Sequence, residues 1–118
     1  MQQTVLLVED QSDVAAMMKM IVSRSGHRPV VATNLEQARQ AWTAYKGEIA
    51  VLITDNALPD GSGVHFAEQL RNEEPKLKVI VISGYLERDL PKGFVRLDKP
   101  FTMTAIIETL RSVVASPA

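Results

Sequence analysis

The chain has 118 residues, a net charge of −1 and 46% apolar residues, which suits one folded domain burying about two-thirds of its unfolded surface and argues against disorder. It has no cysteine, so a disulfide framework, a thiolate metal site and a cysteine nucleophile are excluded. Its 13 basic residues form no cluster, so no nucleic-acid footprint is visible, and its longest apolar runs are far too short to span a membrane.

Strand-like and helix-like patterns alternate from the start. Met1-Gln2-Gln3-Thr4 lacks the basic start and long apolar stretch of a signal peptide, and the chain reads as soluble and cytoplasmic. Val5–Val8 is a continuous apolar run, as in a strand covered on both faces. Val14, Met17, Met18, Ile21 and Val22 then recur at helical spacing, with Ser25-Gly26 as the stop. Pro29–Ala32 reads as a second strand. Thr33 with Glu36 forms a candidate capping box for a helix carrying Leu35, Ala38, Trp42 and Tyr45 on one face. Ala50–Thr54 is a third strand, and Val64, Ala67 and Leu70 mark a third helix ending before Pro75. Lys78–Ile82 is a fourth strand and Phe94–Leu97 a fifth. The segment between them, Gly84 to Gly93 with Pro91 inside it, has room for no more than a turn or two of helix. Met103, Ile106, Ile107, Leu110, Val113 and Val114 make the clearest amphipathic stripe and predict the last helix, leaving Ser116-Pro117-Ala118 as a frayed tail. Such alternation argues for βαβ units, a parallel sheet and right-handed crossovers that place helices on both faces. The expected class is α/β, one domain over residues 1–118, with no repeat and no linker.

In open parallel sheets, sites form outside the carboxyl ends of the strands. Glu9, Asp10, Asp55, Ser83 and Lys99 all follow strands, so all are expected at that edge. Two like charges about 4 Å apart repel by roughly 4 kcal/mol at an effective dielectric near 20. Three carboxylates together therefore call for a cation. Mg²⁺ suits an oxygen-only set, and the backbone carbonyl of Ala57 is a candidate further ligand. Without cysteine or a nearby histidine, zinc is disfavoured. The bland alternative has Glu9 and Asp10 serving as acids at the start of the first helix.

Asp55 is a candidate metal ligand, a candidate nucleophile, or both, since a carboxylate can attack a phosphoryl group and hold it as an acyl phosphate. Phosphoryl transfer needs charge neutralisation and alignment, which the cation and Lys99 would supply. Ser83 is placed to donate its hydroxyl to a phosphoryl oxygen; the alternative for Ser83-Gly84 is a plain turn. Asp60-Gly61 is a turn signal. His27 and His65 stand isolated, Trp42 and the methionines 17, 18 and 20 look like core or boundary residues, and Asp98 is either solvated or a competitor for Lys99.

These pieces together resemble a response-regulator receiver domain of two-component signalling. The matching parts are Glu9-Asp10 after the first strand, Thr54-Asp55, the turn Leu58-Pro59-Asp60-Gly61-Ser62-Gly63, Ser83-Gly84, and Lys99-Pro100-Phe101, in order along essentially the whole chain. The resemblance implies a flavodoxin-like, doubly wound five-stranded parallel sheet in the order 2-1-3-4-5. It implies that Asp55 accepts a phosphoryl group from a histidine kinase or histidine phosphotransfer protein. Glu9, Asp10, Asp55 and the Ala57 carbonyl would hold Mg²⁺, and Ser83 and Lys99 would bind the phosphoryl oxygens. It also implies a cis Lys99–Pro100 peptide. The chain departs from the family in two ways. Arg96 stands where members usually carry an aromatic residue three positions before the lysine, and the segment from Ser83 to Lys99 is several residues short. The fourth helix is therefore expected to be shortened or missing, and the surface that commonly carries the output must be rebuilt.

The leading expectation is thus a phosphoacceptor module, not a turnover enzyme, that signals through a downstream protein partner or an output domain, without contact to nucleic acid or membrane. The alternative is a receiver-like interaction module not switched by phosphorylation, motivated by Arg96 and the short fourth segment. An aspartyl phosphatase fits less well, because the first strand lacks a paired Asp-x-Asp. Flavin binding fits least, because Glu9-Asp10-Gln11 puts negative charge where a phosphate loop would sit.

Overall fold

Apolar runs without polar alternation must be covered on both faces, and helices packed on each side of one sheet do this here. The computed structural model describes residues 2–84 and 89–115. In chain order the elements are β1 (Thr4–Val8), α1 (Ser12–Arg24), β2 (Arg28–Ala32), α2 (Leu35–Ala44), β3 (Ile49–Asp55), β4 (Ala57–Leu58), β5 (Gly61–Ser62), α3 (Gly63–Glu73), β6 (Lys78–Ser83), β7 (Phe94–Asp98) and α4 (Met103–Ala115). Five strands form a parallel sheet in the order β2-β1-β3-β6-β7, and β4 and β5 form a separate antiparallel hairpin. Counting the main sheet alone, this is the expected 2-1-3-4-5 order. The short hairpin was not foreseen as strand, only as turn.

Successive residues of a strand face opposite sides, and the core splits accordingly. Leu6, Val8, Leu52, Val79 and Val81 pack with Ala38 and Trp42 of α2 and Phe66 and Leu70 of α3. Val5, Leu7, Ile53, Ile80 and Ile82 pack with Met18 and Ile21 of α1 and Ile106 and Leu110 of α4. Among the described residues no helix is long and apolar enough to cross a membrane.

The expected remnant of a fourth helix falls partly on residues 85–88, outside the described residues; residues 89–93 form no helix. Strand bounds extend the sequence reading by a residue or two, so that Asp55, Ser83 and Asp98 are the last residues of their strands. The Lys99–Pro100 peptide is cis, as the resemblance implied.

The capping box proposed for Thr33 and Glu36 is displaced by one residue. Asn34 is the N-cap, and its Oδ1 accepts from the Gln37 N–H at 2.8 Å. Gln37 Oε1 in turn accepts from the N–H and hydroxyl of Thr33 at 2.9 and 2.8 Å. The Leu35 and Glu36 amides are instead taken by Asp60, at 2.9 and 3.2 Å. These backbone bonds hold the Asp60 carboxyl below its ordinary range. Asp60 thus stitches the β4–β5 hairpin, which directly follows Asp55, to the start of α2.

That hairpin also closes on Gly63. Its N–H donates to the Asn56 carbonyl at 2.9 Å, and a Cβ here would lie 1.9 Å from the Asp55 carbonyl oxygen and 2.5 Å from Thr54 Oγ1. Gly63→Ala is therefore expected to lower stability by about 3 kcal/mol in urea unfolding, the upper range for overpacking. Gly47→Ala, at φ +85 with nothing within 4 Å, is expected to cost about 1 kcal/mol, the strain of a left-handed alanine.

Candidate functional site

The sheet delivers its polar residues by running the backbone ladder past the strand ends. Glu9 N–H donates to Ala32 O at 3.0 Å, Asn56 N–H to Ile82 O at 3.0 Å, and Lys99 N–H to Ser83 O at 2.9 Å. These bonds fix the first residues beyond β1, β3 and β7 to their neighbouring strands.

Asp55 is 6% exposed. Its Oδ2 accepts from Lys99 Nζ at 2.7 Å and its Oδ1 from the Ala57 N–H at 3.1 Å. Glu9 is 1% exposed although it is an acid. Its Oε2 accepts from the Gln11 N–H at 3.1 Å, while its Oε1 is buried with no hydrogen-bond partner among the described residues. Glu9, Asp10 and Asp55 each place an oxygen within 4.8 Å of the others. Above them opens a cavity of about 460 Å³ whose lining includes Asp10, Asp55, Asn56, Ala57, Ser83 and Lys99.

The electrostatics follow from this crowding. Burial pushes the Glu9 carboxyl from 4.5 up to about 7; the Gln11 N–H opposes the rise, the charge of Asp55 and the nearness of the Asp10 carboxyl add to it, and Lys99 opposes it. Burial works against the charged form of Lys99, but the hydrogen bond and charge of Asp55, then the charges of Glu9 and Asp10, outweigh it and raise its pKa. The ammonium is thus locked on at neutral pH.

Every residue singled out in the sequence for this edge is here: Glu9, Asp10, Asp55, Ala57, Ser83 and Lys99. Ser83 is buried and ends a strand, which is more than a plain turn. The capping role weighed for the acids survives only as the Glu9–Gln11 bond; Gln11 is the N-cap of α1 and provides no side-chain cap. Asp98 does not compete for Lys99. It pairs with Arg96 on the exposed face of β7. His27 Nδ1 accepts from the Gln3 N–H at 3.0 Å, and His65 is exposed beside Gln69. Sequence reasoning passed over Gln11 and Asn56, which line the cavity; their adjacency to Asp10 and Asp55 was the available signal.

A doubly wound sheet with acids and one lysine at its carboxyl edge is the architecture of a receiver. Residues 5–111 match the response regulator receiver domain family, and the chain belongs to it. Such domains are signalling modules of two-component systems without a separate catalytic function. The chain is 29% identical over 116 residues to the sensor kinase CckA of Brucella abortus (strain 2308), covering 93% of this chain and 12% of that protein. It is 22% identical to the response regulator receiver protein CpdR of the same strain, over 92% of this chain and 94% of that one. It therefore spans a small part of one curated relative and nearly all of the other. Among solved structures, the non-phosphorylated HemR receiver domain of Leptospira biflexa shares the fold, with a TM-score of 0.87 at 20% identity over 98% and 97% of the two chains.

The Glu9 shift has a sign. Its folded pKa near 7 exceeds the ordinary 4.5, so between these values the folded state binds more protons than the unfolded one. Without a divalent cation, stability is expected to fall as pH rises from about 4.5 to 7, by on the order of 3 kcal/mol from this group. Thermal unfolding of Glu9→Gln should lose that slope and gain stability near neutral pH. Lys99 acts in another window: its contribution is complete below 10.5 and is lost above its raised folded value.

Proposed function

We propose that residues 1–118 form one receiver domain that accepts a phosphoryl group on Asp55, from a phosphohistidine of a histidine kinase or histidine phosphotransfer protein, in a Mg²⁺-dependent reaction. The observation that carries this is the unpartnered, buried Glu9 Oε1 among three clustered carboxylates, next to an Asp55 already paired with Lys99. An all-oxygen donor set with an orphaned acceptor fits a hard divalent cation. Glu9, Asp10, Asp55 and the Ala57 carbonyl would hold it. Mg²⁺, when bound, neutralises charge on the phosphoryl oxygens and on the acids.

The chain's own residues do the rest. An Asp55 oxygen forms a P–O bond as the P–N bond of the donor breaks, and the imidazole leaves with the electron pair. Lys99, whose charge is fixed by its surroundings, and the Ser83 hydroxyl bind the transferring oxygens. Preorganised donors of this kind stabilise the developing charge without reorganisation. Water later cleaves the aspartyl phosphate, so the domain catalyses only its own phosphorylation and dephosphorylation. The added charge biases a two-state surface. Output passes to a downstream protein or an output domain in the cytoplasm, with no contact to nucleic acid or membrane.

A second reading keeps the fold as an interaction module not switched by phosphate. The pairing of Arg96 with Asp98, away from the carboxylates, favours it.

Incubation with acetyl phosphate and Mg²⁺, followed by intact mass measurement, should add one phosphoryl group to the wild type and none to Asp55→Asn. EDTA should abolish the addition, and Lys99→Ala should slow it about a hundredfold or more, as for loss of one oxyanion donor. An unmodified wild type would defeat the proposal. A partner whose affinity ignores both phosphate and beryllium fluoride would favour the second reading.

A further inference from the structure

Two side chains lining the phosphoacceptor cavity, those of Gln11 and Asn56, have no part in the mechanism. Each ends in a carboxamide, with one acceptor oxygen and two N–H donors. They differ in how they are held. Gln11 is exposed, and its side chain makes no hydrogen bond among the described residues. Asn56 is half-buried and fixed at three points. Its backbone N–H donates to the Ile82 carbonyl at 3.0 Å, and its backbone carbonyl accepts from the Gly63 N–H at 2.9 Å. Its Oδ1 accepts from the Ser62 hydroxyl at 3.2 Å. Ser62 is held in turn, because its Oγ accepts from the His65 N–H as the N-cap of α3. A side chain tied in this way has already given up much of the rotamer freedom that a loose one would lose on binding.

The tether also decides which end of the carboxamide is left over. Ser62 lines the neighbouring cleft beside α2 and is not part of the phosphoacceptor cavity. Oδ1 is drawn toward Ser62, so the group left for the cavity is Nδ2. Among the described residues Nδ2 donates to nothing. Lys99, by contrast, is already committed to Asp55 at 2.7 Å. A phosphoryl group on Asp55 would bring a charge of about −1.5 to −2 and three strong acceptor oxygens into this space. Lys99 and Ser83 reach it from the β6–β7 flank of the sheet, whereas Asn56 is the residue directly after Asp55. An uncommitted N–H donor next to the acceptor carboxylate matches those oxygens, and hydrogen bonds to a charged acceptor are the strong ones.

We infer that Asn56 is a third donor to the transferred phosphoryl group, its Nδ2 N–H bonding a phosphoryl oxygen while Ser62 anchors its Oδ1. This rests on Asp55 being the phosphoacceptor. It adds to Lys99 and Ser83 a neutral donor that leaves the charge of the cavity unchanged.

The test is a titration of the nitrogen-15-labelled domain, in Mg²⁺, with beryllium fluoride as the phosphoryl mimic. The reporter is the side-chain NH₂ pair of Asn56, assigned through its own Cβ. One proton of the pair is expected to move downfield and to show a coupling to fluorine, which a residue that merely supports the hairpin would not show. Asn56→Ala should bind beryllium fluoride about tenfold more weakly, the low end for a hydrogen bond to a charged group. An Asn56 pair that stays in place while the Ser83 and Lys99 amides shift would overturn the inference, and so would equal affinity in Asn56→Ala. Acetyl phosphate separates the two readings. A wild type that gains phosphoryl mass while the Asn56 pair ignores beryllium fluoride defeats this inference alone. A wild type that takes up neither group defeats the phosphoacceptor reading and this inference with it.

Discussion

The interaction on which this molecule turns is the pairing of Lys99 with Asp55 inside a cluster of three carboxylates. One ammonium, 2.7 Å from one acid, cannot neutralise three. The remainder is stored in Glu9, buried, half-bonded and pushed toward protonation by its surroundings. A chain optimised only for stability would not keep an acid there. Local violations of this kind are expected where a fold is built to bind something, and an all-oxygen set of acids suits a hard cation.

Topology makes the cluster unavoidable. Because β1 and β3 are neighbours in the sheet, Glu9, Asp10 and Asp55 leave it side by side. Because β6 and β7 follow on the other side of β3, Ser83 and Lys99 arrive from the opposite flank. The hairpin after Asp55 then links the pocket to the body of the domain. Ser62 caps α3 through the His65 N–H at 3.2 Å, and Asp60 holds the first amides of α2. Events at Asp55 are therefore mechanically adjacent to the starts of two helices.

The legible parts of the fold were those set by local pattern. The apolar runs Val5–Val8 and Val79–Ile82 and the stripe from Met103 to Val114 declare buried strands and an amphipathic helix by themselves. The strand ends then point to Glu9, Asp10, Asp55, Ser83 and Lys99. Strand order was not in the residues; it came with the family likeness, since nothing local says which strands are neighbours. The misplaced cap of α2 shows the same limit. Glu36 looked like the partner of Thr33, but its amide is claimed by Asp60, 24 residues away. Gly63 looked like one more turn glycine, and only the close approach of the Asp55 carbonyl shows why no larger residue fits. Arg96 was legible as a departure but not as a partner. Along β7, Phe94 packs on the α2/α3 side and Leu97 on the α1/α4 side, so period-two alternation places Arg96 and Asp98 on the α2/α3 side. Residues 89–93 form no helix over it, and a solvated ion pair is what such an open face tolerates.

A crystal structure of the domain grown with Mg²⁺ and beryllium fluoride tests the central claim most directly, because it asks where the charge deficit is filled. The account predicts a beryllium trifluoride group bonded to a carboxylate oxygen of Asp55, touched by Lys99 and Ser83, and one magnesium ion ligated by Glu9, Asp10 and Asp55. A fluoride adduct or ion lodged elsewhere, with the Lys99–Asp55 pair undisturbed, would contradict it.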